Sequence, residues 1–231
     1  MGLKSDLEAK VKEVFSNRWK TRDGEVVPDD TSISLGNEGV NLDVTVLYAD
    51  LSGSTKLVDN NDKDFAAEIY KTFLHCAARI IGSEDGEITA YDGDRIMAVF
   101  IGKSKNTSAV RAALKIQWAV GNIINPAISQ QYGADKYTVK QVVGIDTGKL
   151  LVAKTGIRGA NDLVWVGRPA NYSAKLSDLN NYSTYITDKV YDVIADEAKF
   201  SQGVDMWTAL TWNSMNSMRI YGTTYQWKVP D

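Results

Sequence analysis

The stretch Val44–Thr55, V-T-V-L-Y-A-D-L-S-G-S-T, decides the fold that we expect for the rest of the chain. Its first half is rich in β-branched and aromatic residues, which favours a central β-strand. Side chains alternate along a strand, so two faces are predicted. One face carries Val46, Tyr48 and Asp50, and the other carries Thr45, Leu47 and Ala49.

The strand leads into a polar turn just before a helix. The turn consists of Leu51, Ser52, Gly53, Ser54 and Thr55. Free backbone N–H groups in such a turn can bind phosphate, and Asp50 would stand beside them. This combination suggests a site for a metal ion and a nucleotide. An aspartate at a strand end followed by Ser-Gly also occurs as a simple turn that hydrogen-bonds its own backbone.

A second stretch, Glu87–Ile101, supplies another carboxylate. Asp92-Gly93 is a strong two-residue turn signal between two apolar runs, which predicts a β-hairpin with Asp94 at the first position of the returning strand. The hairpin needs only one of the two aspartates. Two carboxylates at strand ends of one sheet can hold divalent cations on a triphosphate.

The order of the predicted elements indicates the fold class. The chain gives a strand, a helix, the hairpin, a second helix and a strand at Tyr137–Ile145, and Asp146-Thr147-Gly148 is predicted to turn that strand into another. The order βαββαβ predicts an α+β domain of the ferredoxin-like type, in which helices pack on an antiparallel-rich sheet.

Composition narrows the function classes. The 231 residues are 44% hydrophobic and 24% charged, which fits one globular domain. A net charge of −3 gives no electrostatic reason to expect a nucleic-acid partner. No run is long and apolar enough for a membrane span, no signal peptide is visible, and Cys76 alone allows no internal disulfide. We therefore expect a soluble, cytoplasmic protein.

Residues 1–41 are predicted to precede the main domain, residues 42–231. Apolar residues recur at helical spacing from Leu3 to Trp19, which predicts a helix that packs on the domain or on a second subunit. Thr21–Val40 is rich in turn residues and predicts an irregular connection before a strand that begins near Asp43.

Three ordered motifs resemble those of the class III nucleotidyl cyclases, over about Leu42–Ala195. The family carries one metal-binding aspartate in a D-x-x-G-[ST]-like turn, here Asp50-Leu51-Ser52-Gly53-Ser54, and a second in a G-D hairpin, here Gly93-Asp94. A G-x-x-x-N-x-x-x-R helix motif is similar to Gly167–Lys175.

The resemblance implies a reaction and its residues. The 3′-hydroxyl of a nucleoside triphosphate would attack its own α-phosphorus, with two divalent cations, Mn²⁺ or Mg²⁺, on Asp50 and Asp94. Asn171 would orient the ribose, and Lys175 would take the place of the family's arginine, alone or with Arg168. Family members are head-to-tail homodimers whose sites combine both subunits, so a homodimer is implied.

The base pocket departs from that of the usual adenylate and guanylate cyclases. The two positions that usually read the purine are Ala90 and Val164, which cannot make side-chain hydrogen bonds. Tyr48 and Tyr91 add bulk. In this respect the chain resembles the Pycsar-type pyrimidine cyclases of bacterial anti-phage defence, which make cyclic UMP or cyclic CMP for a separate effector. This resemblance implies UTP, or CTP, as the substrate, with Tyr48 as the leading candidate for reading the base.

Three alternatives stay open at this stage. The chain could be an adenylate or guanylate cyclase with an unusual pocket, or an inactive nucleotide-binding dimerisation module. A polymerase-like or diguanylate-type domain would share the fold class, but its expected acidic signature is absent. For Tyr48, the alternative role is packing in the core between sheet and helices.

Overall fold

The computed structural model describes residues 2–230, which form two compact units. The smaller contains residues 2–43 and 149–167, and the larger contains residues 44–148 and 168–230. Two long strands run through both units, β2 (Glu38–Leu51) and β5 (Gln141–Ile157).

The remaining elements follow in chain order. The helices are α1 (Leu3–Ser16), α2 (Ser54–Asn60), α3 (Lys63–Ser83), α4 (Lys105–Ala119), α5 (Asn125–Tyr132), α6 (Arg168–Ser177), α7 (Asp188–Val193) and α8 (Asp196–Lys199). The other strands are β1 (Lys20–Asp23), β3 (Glu87–Asp92), β4 (Arg95–Phe100), β6 (Ala160–Val166), β7 (Thr184–Thr187), β8 (Phe200–Ser201), β9 (Val204–Asp205), β10 (Thr208–Trp212) and β11 (Met218–Thr223). A π-helical turn, Val120–Ile124, joins α4 to α5, and a 3₁₀ turn, Asn213–Met215, precedes β11.

The sheet of the larger unit has the order β10-β11-β7-β5-β2-β4-β3. Its segment β5-β2-β4-β3 is the ferredoxin-like order, and β2, β3 and β4 pair antiparallel. β7 pairs parallel with β5 and antiparallel with β11. The predicted α+β class with a mostly antiparallel sheet is therefore confirmed. In the smaller unit, β1 lies parallel to the start of β2, and β6 lies antiparallel to the end of β5.

Helices α3 and α4 pack on one face of the larger unit's sheet, and α6 packs on the opposite face, where Leu176 joins Val142 of β5 and Tyr185 of β7. Leu47 and Ala49 of β2 join one buried cluster with Phe73 of α3 and Leu114 of α4. Tyr48 and Asp50 lie on the opposite face, as the alternation of side chains predicts, and both are only half-buried. Tyr48 is therefore outside the buried cluster beneath α3 and α4, and its role, packing or reading of the base, stays a prediction.

The hairpin is displaced by one residue from its predicted register. Asp92 pairs with Arg95 across β3 and β4, so Gly93 and Asp94 form the turn, and Asp94 is not the first residue of the returning strand. Gly93 has a φ of 62°, which glycine adopts without steric cost. Asp94 consequently stands at the tip of the hairpin, beside the end of β2.

Two predicted boundaries are wrong. The strand expected near Asp43 begins at Glu38, and β1 forms within the supposedly irregular connection, because Glu38–Asn41 pairs with Lys20–Asp23. The predicted turn at Asp146-Thr147-Gly148 is absent, since β5 continues through it. Asp146 is fully buried and bonded to groups from other elements, so its side chain does not close a turn.

The helix α1 exists, but no residue of it is buried. Its apolar residues are exposed, with Phe15 85% and Leu3 76% accessible. The prediction that this apolar face packs on the rest of the chain is therefore wrong. Packing on a second subunit stays a prediction. No helix among residues 2–230 has the length and apolar character that crossing a membrane requires.

Candidate active site

The carboxylate of Asp50 is held by an arginine from the neighbouring strand. Asp50 lies opposite Arg95 in the β2–β4 register. The Arg95 guanidinium donates hydrogen bonds to Asp50 Oδ2 at 2.9 Å and to Asp178 Oδ1 at 3.2 Å. Asp178 directly follows α6, so this arginine links the end of β2 to the end of that helix. Neither Arg95 nor Asp178 was predicted as a site residue.

Burial and neighbouring charge act together on Asp50. The pKa of Asp50 is raised to about 6: burial is the largest cause, the Asp94 carboxylate adds to the rise, and Arg95 opposes both effects. Asp50 and Asp94 are thus close enough to repel each other. A partly desolvated pair of carboxylates is an environment that a divalent cation stabilises.

The second carboxylate has an unused oxygen. Asp94 Oδ2 is buried and accepts no hydrogen bond in the part of the chain that the structure describes. Buried carboxylate oxygens normally have a partner, and hard divalent cations prefer oxygen ligands. The pair therefore fits a divalent cation. No cluster of three or more acidic, histidine or cysteine side chains forms within residues 2–230, so further ligands would have to come from backbone, water or substrate oxygens.

The turn after Asp50 borders a cavity. The cavity has an empty volume of about 620 Å³ and is lined by Asp50–Thr55 and by Ser177–Asn180. Gly53 has a φ of 76°, and a Cβ there would meet no atom within 4 Å, so the turn is open on that side. The amides of Ser54 and Thr55 begin α2, where a helix offers no internal acceptor.

One amide of this turn is already used. The Ser52 N–H donates to the carbonyl oxygen of Lys140 at 2.9 Å, so this amide is not free to bind phosphate. Leu51 is buried, as the last residue of β2. The backbone amides after Ser52 are therefore the ones in this turn that can bind phosphate.

Tyr48 and Ala90 lie in one row across three strands. In the register, Tyr48 stands opposite Met97, and Met97 stands opposite Ala90. Both Tyr48 and Ala90 are half-buried, whereas Tyr91 is 57% exposed. Burial raises the pKa of Tyr48, and nearby Arg95 opposes that rise. The structure thus brings two of the predicted base-pocket residues together on the face that carries Asp50. Val164 lies on β6 opposite Ala153, in the smaller unit.

The helix α6 presents Asn171 and Lys175 to solvent. Its other face is fixed to the sheet, because Ser173 Oγ accepts the Asp146 N–H and donates to the Val46 carbonyl, both at 2.8 Å. Asn171 makes no side-chain hydrogen bond among the described residues, and Lys175 Nζ approaches only Met215 Sδ, at 3.7 Å. Along the axis of α6, Asn171 lies about 10 Å from Asp178, the residue that contacts Arg95 beside Asp50. Within one chain, α6 does not bring Asn171 and Lys175 into contact with Asp50 or Asp94.

Arg168, the alternative to Lys175, is held in place. Its Nε lies 3.3 Å from Asp146 Oδ2 without hydrogen-bond geometry, so the contact is an ion pair. Its guanidinium carbon lies 4.6 Å from the ring centroid of Tyr172, a cation–π contact. Asp146 also accepts a hydrogen bond from the Thr187 hydroxyl at 2.6 Å. This arginine has structural partners, whereas Lys175 is exposed.

No protein-family model matches the chain. The chain is 55% identical over 230 residues to a uridylate cyclase from Xanthomonas perforans, covering 99% of this chain and 100% of that protein. It is 50% identical over 231 residues to a uridylate cyclase from Burkholderia cepacia, with the same coverage. A uridylate cyclase from a Rhodovulum species is 33% identical over 238 residues, covering 100% of this chain and 99% of that protein.

Solved structures share the fold. The adenylyl cyclase CyaB from P. aeruginosa superposes with a TM-score of 0.67 at 19% identity, over 84% of this chain and 100% of that one. The guanylate cyclase domain from Catenaria anguillulae, determined in complex with GTP, gives a TM-score of 0.65 at 15% identity, over 80% and 98% of the two chains. These likenesses show the fold, and the full-length sequence matches show the family: this chain belongs to the uridylate cyclases.

Proposed function

We propose that the protein converts UTP to 3′,5′-cyclic UMP and pyrophosphate. The observation that carries the proposal is the pair Asp50 and Asp94, a desolvated carboxylate and one with an unused buried oxygen, beside an open turn with free amides. The full-length similarity to proteins named uridylate cyclase supports the choice of UTP.

The reaction is intramolecular. The 3′-oxygen forms a bond to the α-phosphorus, the bond from that phosphorus to the bridging oxygen of the β-phosphate breaks, and the hydroxyl proton is released. Catalysis of this kind is mainly positioning and charge stabilisation. A divalent cation, Mn²⁺ or Mg²⁺, supplies charge neutralisation and a more acidic hydroxyl when bound.

The chain's own groups divide the remaining tasks. Asp50 and Asp94 would hold the two cations, and the amides after Ser52 would bind phosphate oxygens. Arg95 keeps the Asp50 carboxylate oriented and favours its charged form. Asn171 orients the ribose, and Lys175 stabilises charge on the phosphate.

A head-to-tail homodimer would complete the site. Asn171 and Lys175 are exposed and lack strong partners, and α6 holds them away from the Asp50 carboxylate of the same chain. A second subunit in antiparallel arrangement can present these side chains to the first. Two equivalent shared sites follow from the two-fold symmetry.

We propose that the pocket prefers UTP over CTP. Ala90 and Val164 offer no side-chain hydrogen bond to a purine edge, and Tyr48 adds a phenol on the face of the sheet that carries Asp50. Uracil and cytosine differ in donors and acceptors at two adjacent positions, so a polar group must discriminate. A phenol can donate or accept, which suits Tyr48 to that role.

The decisive experiment incubates the purified chain with ATP, GTP, CTP or UTP and Mn²⁺, and separates the products by chromatography. Cyclic UMP should predominate, and EDTA should abolish it. Cyclic AMP or cyclic GMP as the main product would establish the purine alternative, and no cyclic product from any triphosphate would leave only a nucleotide-binding module.

We further propose that cyclic UMP signals to a separate effector in anti-phage defence, which rests on the resemblance to Pycsar-type cyclases. Phage challenge of cells carrying the chain with its effector, wild type against Asp94→Asn, tests this role. Protection should disappear with the variant, and equal protection would contradict the proposal.

A further inference from the structure

A second cavity lies in the larger unit, beside the start of β5. It has an empty volume of about 930 Å³ and shares only Ser52 and Asn180 with the lining of the candidate active site. Its lining includes Gln141 of β5, the π-helical turn after α4, and the loop that ends at Ser183. π-helical turns occur frequently at functional sites.

Hydrogen bonds within the protein hold the walls of this cavity in place without a ligand. The Asn125 side chain bonds both the N–H and the carbonyl of Val139, at 2.8 and 3.0 Å. The Tyr185 hydroxyl accepts the amide hydrogens of Asn181 and Tyr182 at 2.8 and 3.0 Å. Such a pocket requires little ordering when a ligand binds.

A buried amide in this cavity has an unused acceptor. Gln141 is 3% exposed, and its Nε2 donates to Gln117 Oε1 at 2.8 Å. Its own Oε1 is buried and accepts no hydrogen bond from residues 2–230. Buried amide oxygens are normally paired, so a donor on a ligand would satisfy this one.

The exposed part of the lining suits an anionic ligand with carbonyl groups. Lys140, Asn180 and Asn181 are exposed, and their side chains make no hydrogen bond within the described residues. No aspartate or glutamate lines the cavity among the residues that the structure describes. The amides can donate to carbonyl oxygens, and the ammonium of Lys140 can bind phosphate.

We propose that this cavity binds a uridine nucleotide, with the base at Gln141 and the phosphate at Lys140. Uracil presents an N–H between two carbonyl oxygens, which matches the acceptor of Gln141 between donating asparagine amides. Cytosine presents an acceptor at that ring nitrogen and would face the Gln141 oxygen unfavourably. The choice of uridine as the nucleoside rests on the proposed function, because substrate and product are both uridine nucleotides.

A backbone hydrogen bond connects this cavity to the candidate active site. The Lys140 carbonyl accepts the N–H of Ser52, the residue just before the amides that we propose bind phosphate. We expect a nucleotide bound at Lys140 to shift the position of Ser52 through this hydrogen bond. This contact gives the cavity a direct route by which substrate or product could regulate turnover.

Isothermal titration calorimetry with UMP, in EDTA to suppress cation-dependent binding at the active site, tests the site. One UMP should bind per chain, and Asn181→Asp and Lys140→Ala should each weaken binding by at least about tenfold. Asn213→Asp and Lys103→Ala, at exposed positions outside the cavity, are the charge-matched controls and should bind as the wild type does. Titrations with UTP and cyclic UMP then distinguish substrate from product as the natural ligand.

Three results would overturn the proposal. The first is that UMP does not bind, and the second is that CMP binds as tightly as UMP. The third is that Asp50→Asn abolishes UMP binding whereas Asn181→Asp leaves it intact. Gln141→Leu should weaken binding too, with a thermal melt to show that it folds. The assay needs no turnover, so cyclic UMP formation without UMP binding refutes only this site, and UMP binding without turnover refutes only the proposed function.

Discussion

Two aspartates of the larger unit, Asp50 on β2 and Asp146 on β5, each pair with an arginine, yet their surroundings differ. The Asp50 side chain is 16% exposed, borders a cavity, and shares Arg95 with Asp178. The Asp146 side chain is fully buried and is held by the Thr187 hydroxyl and by Arg168.

Burial raises the pKa of both carboxyls, so a raised pKa alone does not mark the active site. What distinguishes Asp50 is open space beside it and a second carboxylate, Asp94, with an unused oxygen. Asp146 instead fixes Arg168 at the start of α6. We therefore predict that the same pair of residue types serves substrate chemistry at one strand, whereas at the other it holds the start of α6 in place.

Removing the charge of Asp50 or Asp94 should have the largest effect on turnover. Asp50→Asn and Asp94→Asn each remove a cation ligand, and cyclic UMP formation should fall on the order of 10³-fold or more. Asp135→Asn, at an exposed loop position, is the control and should keep full activity. A variant at Asp50 or Asp94 that retains activity would show that the carboxylates have another role.

Asp146→Asn should act on stability. It leaves Arg168 without its counter-ion, and we expect the free energy of unfolding to fall by about 2–3 kcal/mol, below the range for a fully buried pair because Arg168 is partly exposed. Urea denaturation measures this difference. Asp178→Asn, with a 60% exposed side chain, should change stability by less than about 0.5 kcal/mol. An equal loss of stability in Asp146→Asn and Asp178→Asn would contradict the difference that we draw between the buried Asp146 site and the more open Asp50 site.

Tyr48→Phe keeps the ring and removes only the hydroxyl. If the phenol reads the base, kcat/KM for UTP should fall by the equivalent of roughly 1–3 kcal/mol, because a polar group of the base loses its partner. The UTP-to-CTP preference should narrow at the same time. Unchanged kinetics and preference would assign the reading of the base to another residue.

The pH profile should reveal the link between Arg95 and Asp50. Asp50 must be ionised to hold a cation, so kcat/KM should decline as the pH falls through about 6, the pKa of its carboxyl in the free protein. Arg95 lowers that pKa, so Arg95→Gln should move the acidic limb to higher pH. An acidic limb that stays in place would show that Asp50 does not control it.

Local patterns in the sequence were sufficient to predict the centre of the fold. A run of β-branched and aromatic residues predicted β2, the alternation of side chains predicted its two faces, and Asp-Gly predicted the hairpin, because all three depend on near neighbours. The turn predicted at Asp146-Thr147-Gly148 failed because the partners of Asp146, Thr187 and Arg168, come from distant segments. The early start of β2 depends likewise on its pairing with β1.

The candidate site also combines residues that local sequence patterns predict with contacts between distant segments that they cannot predict. Asp50 and Asp94 were predicted from their motifs. Arg95 follows Asp94 directly in the chain, but its contact with Asp178 spans 83 residues, which no local pattern could predict. The use of the Ser52 amide by Lys140 is equally non-local.

Subunit complementation tests the central claim, a cation site on one chain completed by Asn171 of another. Asp50→Ala and Asn171→Ala should each be inactive alone. Random exchange makes half the dimers mixed, each with one intact site, so mixing equal amounts should restore about a quarter of the wild-type rate of cyclic UMP formation. No recovery, with subunit exchange confirmed by differently tagged chains, would contradict a shared active site.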